Sequence, residues 1–175
     1  MSSGRVGALV VATRQSQVVY ERFYEAQSEG EKAEVRGAFD QVAGPAAAPR
    51  AVDDEELVGR FRTSRVVAIP SGELVFYALG SGEYNELALT ELLRCIIAVY
   101  RELFKSPALT AAALLSNIGL TALVVDEACR EGVVELTDRL SIQKAIAMRL
   151  PYEAPMEKGK STLGKLLSSK EKAAG

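Results

Sequence analysis

Two β-like runs and one helix-like run follow one another in residues 65–104, RVVAIPSGELVFYALGSGEYNELALTELLRCIIAVYRELF. The apolar runs at 65–69 and 74–79 are separated by Pro70-Ser71-Gly72-Glu73, residue types that favour a tight turn. These runs predict a β-hairpin. After a glycine-rich break at 80–82, the apolar period changes to that of a helix from Asn85 onward.

The predicted helix, residues 85–104, has an apolar face that is wider than one side of one sheet requires. Two explanations stay open. A following helix that begins at Pro107 covers the excess, or a helix of a partner protein does, since large apolar patches mark interfaces. The candidate partner-binding residues on this face are Leu92, Ile96, Tyr100, Leu103 and Phe104.

The N-terminal part of the chain predicts a first hairpin and a helix. Residues 6–12 are apolar throughout, residues 13–17 are polar, and residues 18–24 read VVYERFY. The first run is expected to be a central strand. Ser28 and Glu31 have the spacing of a capping box, which predicts a helix that ends at Gly44-Pro45. Residues 46–56 are read as a loop.

The C-terminal part predicts one more strand between helices. Ser106-Pro107 is typical of a helix start, and this short helix is expected to end near Leu115. Residues 120–125, LTALVV, are interpreted as a fifth, central strand, and residues 126–131 as one helical turn. Thr137 is expected to cap a last helix that Pro151 ends.

These elements predict an α+β fold in which hairpins form a mainly antiparallel sheet covered by helices. We expect one domain over residues 1–150. Residues 151–175 are rich in Lys and Ser, with little apolar content, and are expected to form a flexible tail.

Composition excludes several classes of function. The chain has 175 residues and a formal net charge of −2, which is not the basic excess of a nucleic-acid-binding protein. It contains no histidine, so histidine bases and histidine metal ligands are absent, and Cys95 and Cys129 alone cannot hold zinc. No apolar run is long enough to cross a membrane and no signal peptide is recognised. We predict a non-enzymatic protein without cofactor or metal.

Two motifs contain residues that could take part in chemistry. Gly80-Ser81-Gly82-Glu83 lies between a strand and a helix, but it lacks the Lys and the glycine spacing of a phosphate-binding loop, so a plain turn is favoured. Asp126-Glu127 could form a carboxylate pair. Acids at a helix N-terminus, which complement the helix dipole, are the favoured interpretation.

An ordered series of short segments resembles a known family. It consists of Val66-Val67, Leu74-Val75-Phe76-Tyr77, Asn85-Glu86-Leu87, Val124-Val125-Asp126-Glu127 and residues 132–138, GVVELTD, with Tyr20-Glu21-Arg22-Phe23-Tyr24 before them. Over residues 6–148 the chain is similar to the small subunits of vesicle-coat adaptors, the clathrin-adaptor sigma chains and the coatomer zeta chain.

The resemblance implies a longin-like fold with a five-stranded antiparallel sheet and helices on both faces. It also implies a non-catalytic role within a heteromeric coat complex, with a large helical-solenoid subunit and a medium subunit as partners. Any contact with a small GTPase would be indirect. The chain would be cytoplasmic and peripheral on the plasma membrane, at coated pits, or on the Golgi, through the complex alone. Neither the sigma nor the zeta pattern fits throughout, which slightly favours TSET, the TPLATE complex of plants, over coatomer zeta.

Sigma chains bind acidic dileucine signals in an apolar pocket beside basic groups. By resemblance, Leu74 and Ile97 take pocket-lining positions, whereas Val19 replaces a basic residue, which weakens the expectation of cargo binding. The alternative reading is a free longin or roadblock-type scaffold that acts on small GTPases. We also expect the isolated chain to be marginally stable, because the helix from Asn85 would expose apolar surface.

Overall fold

The computed structural model describes residues 4–44, 52–135 and 137–149. Its main sheet contains five strands in the order β2-β1-β5-β4-β3, and all neighbouring strands are antiparallel. The strands are β1 Val6–Thr13, β2 Val18–Phe23, β3 Leu57–Phe61, β4 Ser64–Ser71 and β5 Leu74–Gly80. Both predicted hairpins are therefore confirmed, and β1 lies inside the sheet between β2 and β5.

Five helices and a small second sheet, made of one short hairpin, complete the described fold. The helices are α1 Glu29–Ala43, α2 Glu86–Leu103, α3 Ala111–Ser116, α4 Ile118–Ala128 and α5 Arg139–Arg149; the hairpin joins β6 Cys129–Arg130 to β7 Val133–Val134. α1 packs on one face of the sheet and α2 packs on the other, with α4 and α5 against it. The predicted α+β, longin-like architecture with helices on both faces is confirmed.

Local sequence signals explain where α1 and α2 begin. The Ser28 Oγ accepts a hydrogen bond from the Glu31 N–H (3.3 Å), and the Ser28 N–H donates to Glu31 Oε2 (2.8 Å), which is the predicted capping box. Asn85 Oδ1 accepts from the Ala88 N–H at 3.0 Å and caps α2. These bonds satisfy helix N–H groups that have no partner within the helix.

The two faces of the sheet have separate cores. Under α1, the rings of Phe39 and Tyr77 stack with centroids 4.9 Å apart, and Gly59 of β3 leaves room for Val42, which a Cβ at that position would strike. Under α2, Tyr100 is fully buried and its hydroxyl donates to the Thr121 carbonyl at 2.7 Å, joining α2 to α4. α2 therefore lies between the sheet and α4.

The predicted fifth strand is wrong. Residues 120–125 belong to α4, and the fifth strand is β3, in a segment whose sequence pattern does not predict a strand. A short apolar run fits either a buried strand or a buried helix by periodicity alone. β3 was missed because it is an edge strand, with Gly59 at its centre and alternating half-buried and exposed residues.

Three boundaries in the C-terminal part also differ from the prediction. α3 begins at Ala111 with Thr110 as its cap, whereas the Ser106 hydroxyl donates to the Ala108 carbonyl in the preceding loop. Residues 126–131 are the end of α4 and the start of the β6–β7 hairpin. Asp138 caps α5 in place of Thr137: its Oδ2 accepts from the Ser141 N–H at 2.8 Å.

The predicted boundary at residue 150 and the predicted tail at 151–175 lie outside the described residues.

Candidate partner-binding surface

The predicted partner-binding face of α2 is covered by the chain itself. Leu92, Ile96, Tyr100 and Leu103 are at most 3% exposed, and the partly buried Phe104 stacks on Tyr100 with ring centroids 5.8 Å apart. These side chains belong to the core between the sheet and the outer helices. A partner that contacts the folded chain would therefore not reach them in this conformation.

The two proposed cargo-pocket residues are in the same core. Leu74, at the start of β5, and Ile97, in the middle of α2, are 0% and 2% exposed, and Val19 of β2 is half-buried against the same cluster. The structure thus places all three residues around one core. Leu74 and Ile97 are closed off from solvent, so a peptide would need local rearrangement to reach them.

The remaining side of α2 carries charged residues that pair with neighbouring elements. Glu86 pairs with Arg65 at 3.0 Å, Arg94 with Glu56 at 3.2 Å, Arg101 with Asp54 at 2.9 Å and Glu102 with Arg139 at 3.1 Å. These pairs are partly exposed and each contributes modestly to stability. Together with the buried face, these pairs tie α2 to neighbouring parts of its own chain, although Leu87 in its first turn stays 67% exposed.

The best candidate for a partner surface lies at α3 and the start of α4. Residues 106–125, SPALTAAALLSNIGLTALVV, contain no charged residue. Within this segment Leu115 is 53% exposed and Ile118 is 46% exposed, and Ala112 and Gly119 are exposed beside them in the sequence. We name these four residues the uncharged corner. A surface that lacks charged residues and exposes apolar side chains is characteristic of the centre of a protein interface.

The uncharged corner is held in position by contacts at its two helices. Leu114 is fully buried beneath it, and its carbonyl accepts a hydrogen bond from the Thr121 hydroxyl at 3.0 Å, which connects α3 to α4. The Asn117 amide nitrogen donates to the Ala113 carbonyl at 3.0 Å. The exposed side chains therefore project from a fixed backbone.

The β4–β5 turn fixes the loop that leads into the uncharged corner. Glu73 donates its N–H to the Leu109 carbonyl at 3.2 Å, and its carboxylate accepts from the Ala111 N–H at 2.6 Å. Gly72 has a φ of +61°, and a Cβ there would lie 2.5 Å from the Leu109 carbonyl oxygen. Glycine is required at this position both by the backbone conformation and by the close approach of the loop.

Edge strand β2 lies beside α3. Its first residue, Val18, is itself 44% exposed, so exposed apolar surface continues on the strand next to α3. An edge strand also presents unpaired backbone groups to solvent. The uncharged corner and the start of β2 together offer a partner both apolar area and hydrogen-bonding groups.

The motifs considered for chemistry have structural roles. Asp126 and Glu127 lie at the end of α4, so the predicted helix N-terminus is wrong, and buried Glu127 pairs with Arg149 at 2.5 Å. Ser81 lies in the turn between β5 and α2, where its hydroxyl donates to the Arg5 carbonyl at 3.4 Å. These contacts give Glu127 and Ser81 structural roles.

The two cysteines are buried thiols. Burial raises the pKa of Cys95 and that of Cys129 to about 11, so both stay protonated at neutral pH and are poor nucleophiles. Within residues 4–44, 52–135 and 137–149 no group of His, Cys, Asp and Glu side chains is arranged to hold a metal ion. In the same ranges, no helix is both long and apolar enough to span a membrane.

Comparison with known proteins identifies the class. The family model described as the clathrin adaptor complex small chain matches residues 5–151, so the chain belongs to this family. It is a small adaptor-type subunit.

Among individual relatives, the chain is 23% identical over 158 residues to the TSET complex member tstD of Dictyostelium discoideum, covering 87% of this chain and 97% of that protein. Among structures, it is similar to a chain in a homology model of the full-length AP-3 complex in a stretched open conformation. The TM-score is 0.59 at 13% identity, with 97% of this chain and 99% of that chain covered. A model of the same complex in an intermediate open conformation gives a TM-score of 0.50 at 11% identity, with 75% and 31% covered. The structural likeness agrees with the sheet and helices described above.

Proposed function

We propose that the chain is the non-catalytic small subunit of a heteromeric, TSET-type adaptor complex that acts in vesicle trafficking on the cytosolic face of a membrane. Membership of the adaptor small-chain family and the similarity to a TSET complex member support the complex and its type. The partners would be a large helical-solenoid subunit and a medium subunit, and the chain would reach the membrane only through them.

The uncharged corner is the observation that carries the proposed assembly. Leu115 and Ile118 expose apolar area on a backbone fixed by Leu114 and Thr121, with no charged residue between 106 and 125. Burying such a surface is favourable because it removes apolar area from water and leaves no charge without a partner. We therefore infer that the large subunit covers this corner.

The first experiment is affinity purification of the tagged chain from its native cytosol, followed by mass spectrometry. We expect a large helical-repeat subunit and a medium subunit to co-purify, and their identities to distinguish a TSET complex from coatomer. Recovery of the chain alone, or with small GTPases alone, would contradict the proposal and favour a free longin-type scaffold.

A matched pair of substitutions tests the surface itself. Leu115→Asp and Ile118→Asp place a charge in the proposed interface, and each should weaken binding of the large subunit by roughly ten- to a hundredfold. Leu140→Asp on α5 is the control, because Leu140 is 46% exposed, as is Ile118. Equal loss of binding in all three variants would show that the corner has no special role.

A further inference from the structure

Three arginines from separate parts of the chain contact one acidic segment. The segment is residues 53–56, DDEE, between α1 and β3. The three ion pairs are Asp53–Arg14 at 3.0 Å, Asp54–Arg101 at 2.9 Å and Glu56–Arg94 at 3.2 Å. Arg14 follows β1, whereas Arg94 and Arg101 lie about two turns apart on the same side of α2. We name these three residues the arginine surface.

The β4–β5 turn holds two of these arginines in place. Arg14 Nε donates to the Gly72 carbonyl at 2.8 Å, and Arg101 Nη2 donates to the hydroxyl of Ser71, a fully buried residue, at 2.8 Å. The Gly72 N–H donates to the Asp53 carboxylate at 3.1 Å, so a backbone donor lies beside the guanidinium groups. Guanidinium groups fixed in this way, with a backbone N–H next to them, form a surface that suits carboxylates.

The acidic segment is attached without burying any of its side chains. Residues 52–56 are all exposed, and the paired side chains of Asp53, Asp54 and Glu56 are 43%, 52% and 46% exposed. By contrast, α1 and α2 each bury a row of apolar side chains in the core. Exposed ion pairs are individually weak and are screened by salt. The segment is therefore held mainly by charge, and another acidic segment can compete with it.

Two features make residues 53–56 an imperfect occupant of the arginine surface. Asp54 has a φ of +66°, a left-handed conformation that costs free energy in a residue other than glycine. Arg101 contacts Asp54 through its two terminal nitrogens, whereas its Nε is buried and donates to no acceptor among the described residues. A buried donor without an acceptor is unfavourable. A peptide that reaches Nε without a left-handed residue would avoid both costs.

We propose that the arginine surface is a binding site for an acidic peptide segment of a partner protein, and that residues 53–56 occupy this site until the partner displaces them. The partner's segment carries carboxylates spaced as in Asp53, Asp54 and Glu56, one for each arginine. Because residues 53–56 are tethered, their local concentration is high, and a competing peptide has to overcome it. The site shares no residue with the uncharged corner and is independent of the proposed adaptor role.

Fluorescence anisotropy tests the site with a labelled peptide of the chain's own sequence 52–57, VDDEEL. A triple variant of the full-length chain, Asp53→Asn with Asp54→Asn and Glu56→Gln, removes the competing charges. We expect it to bind the peptide roughly tenfold more tightly than wild type at low salt. The matched control neutralises three paired acids near α1, Glu21→Gln with Glu29→Gln and Glu34→Gln, and should bind like wild type. Equal affinity in the two triple variants, or no binding to the first, would overturn the proposal.

Neutral replacement of the arginines tests the other side of the contact. In the first triple variant, Arg101→Gln should weaken peptide binding roughly tenfold, because a charge-assisted contact is lost. Arg94→Gln should weaken it several-fold, and the 56% exposure of the Arg94 side chain makes a folding defect unnecessary to explain that loss. Arg22→Gln is the control, because Arg22 is an exposed arginine of β2 outside the arginine surface. Unchanged affinity after both Arg94→Gln and Arg101→Gln, or an equal loss after Arg22→Gln, would overturn the proposal.

Discussion

α2 and the uncharged corner are both apolar, yet the fold uses them in opposite ways. α2 places Leu92 and Tyr100 in the core and pairs charged residues such as Arg94 and Arg101 with neighbouring segments. At the corner, Leu115 and Ile118 face solvent and no charged residue is available nearby in the sequence. This difference shows that a wide apolar face predicts a buried helix but does not indicate whether the same chain or a partner protein covers it. Exposed apolar residues in a charge-free segment are the better indication of a partner.

The largest effect on stability is expected in α2. Leu92→Ala should lower the free energy of unfolding by about 2–5 kcal/mol, because it removes a fully buried side chain and leaves a cavity. Urea denaturation followed by circular dichroism would measure the change. A loss below about 1 kcal/mol would indicate that this face is not buried in the isolated chain, and would restore α2 as a candidate partner surface.

Gly72→Ala should have the next largest effect, on the order of 2 kcal/mol, because alanine is strained at positive φ and its Cβ would meet the Leu109 backbone. Hydrogen exchange should also become faster in residues 109–116, since the turn fixes that segment. The control is Gly37→Ala in α1, where an added Cβ meets nothing and where alanine should stabilise the helix by up to about 1 kcal/mol. If both variants behave alike, the turn does not position the corner.

Ser28→Ala should have an intermediate effect on stability, in α1, which is remote from both α2 and the uncharged corner. Losing the Ser28 cap should cost about 1 kcal/mol. The Ser28 hydrogen bonds lower the pKa of Glu31, so their contribution is complete above the unfolded-state pKa and is lost as the pH falls through the folded-state pKa. The stability difference between wild type and variant, measured by urea denaturation, should therefore decrease on acidification below about pH 4.5. A difference that grows in acid would contradict this assignment.

The smallest effect on stability is expected at the uncharged corner. Leu115→Ala should change the free energy of unfolding of the isolated chain by no more than about 0.5 kcal/mol, because the side chain is 53% exposed. Its effect should appear in binding of the large subunit. A large loss of stability together with normal binding would mean that Leu115 supports the fold and does not contact a partner.

The family resemblance and much of the fold follow from short-range patterns. The hairpins at β1–β2 and β4–β5, the Ser28 capping box and the start of α2 at Asn85 depend on neighbouring residues, and all were predictable. β3 and α4 were not. The run at 120–125 is compatible with strand or helix, and its helical state depends on packing against α2, including the Tyr100–Thr121 hydrogen bond.

For the candidate partner surface, the separation between what local sequence patterns predict and what packing decides is clearer still. The sequence by itself determined that α2 is too apolar to be a surface helix, that residues 106–125 lack charge, and that the chain resembles adaptor small subunits. Only the tertiary structure decided that α2 is covered by its own chain, while Leu115 and Ile118 face solvent, and that Arg14, Arg94 and Arg101 contact one acidic segment. The physical reason is that exposure depends on which distant segments pack together, whereas periodicity and charge depend on residues adjacent in the chain.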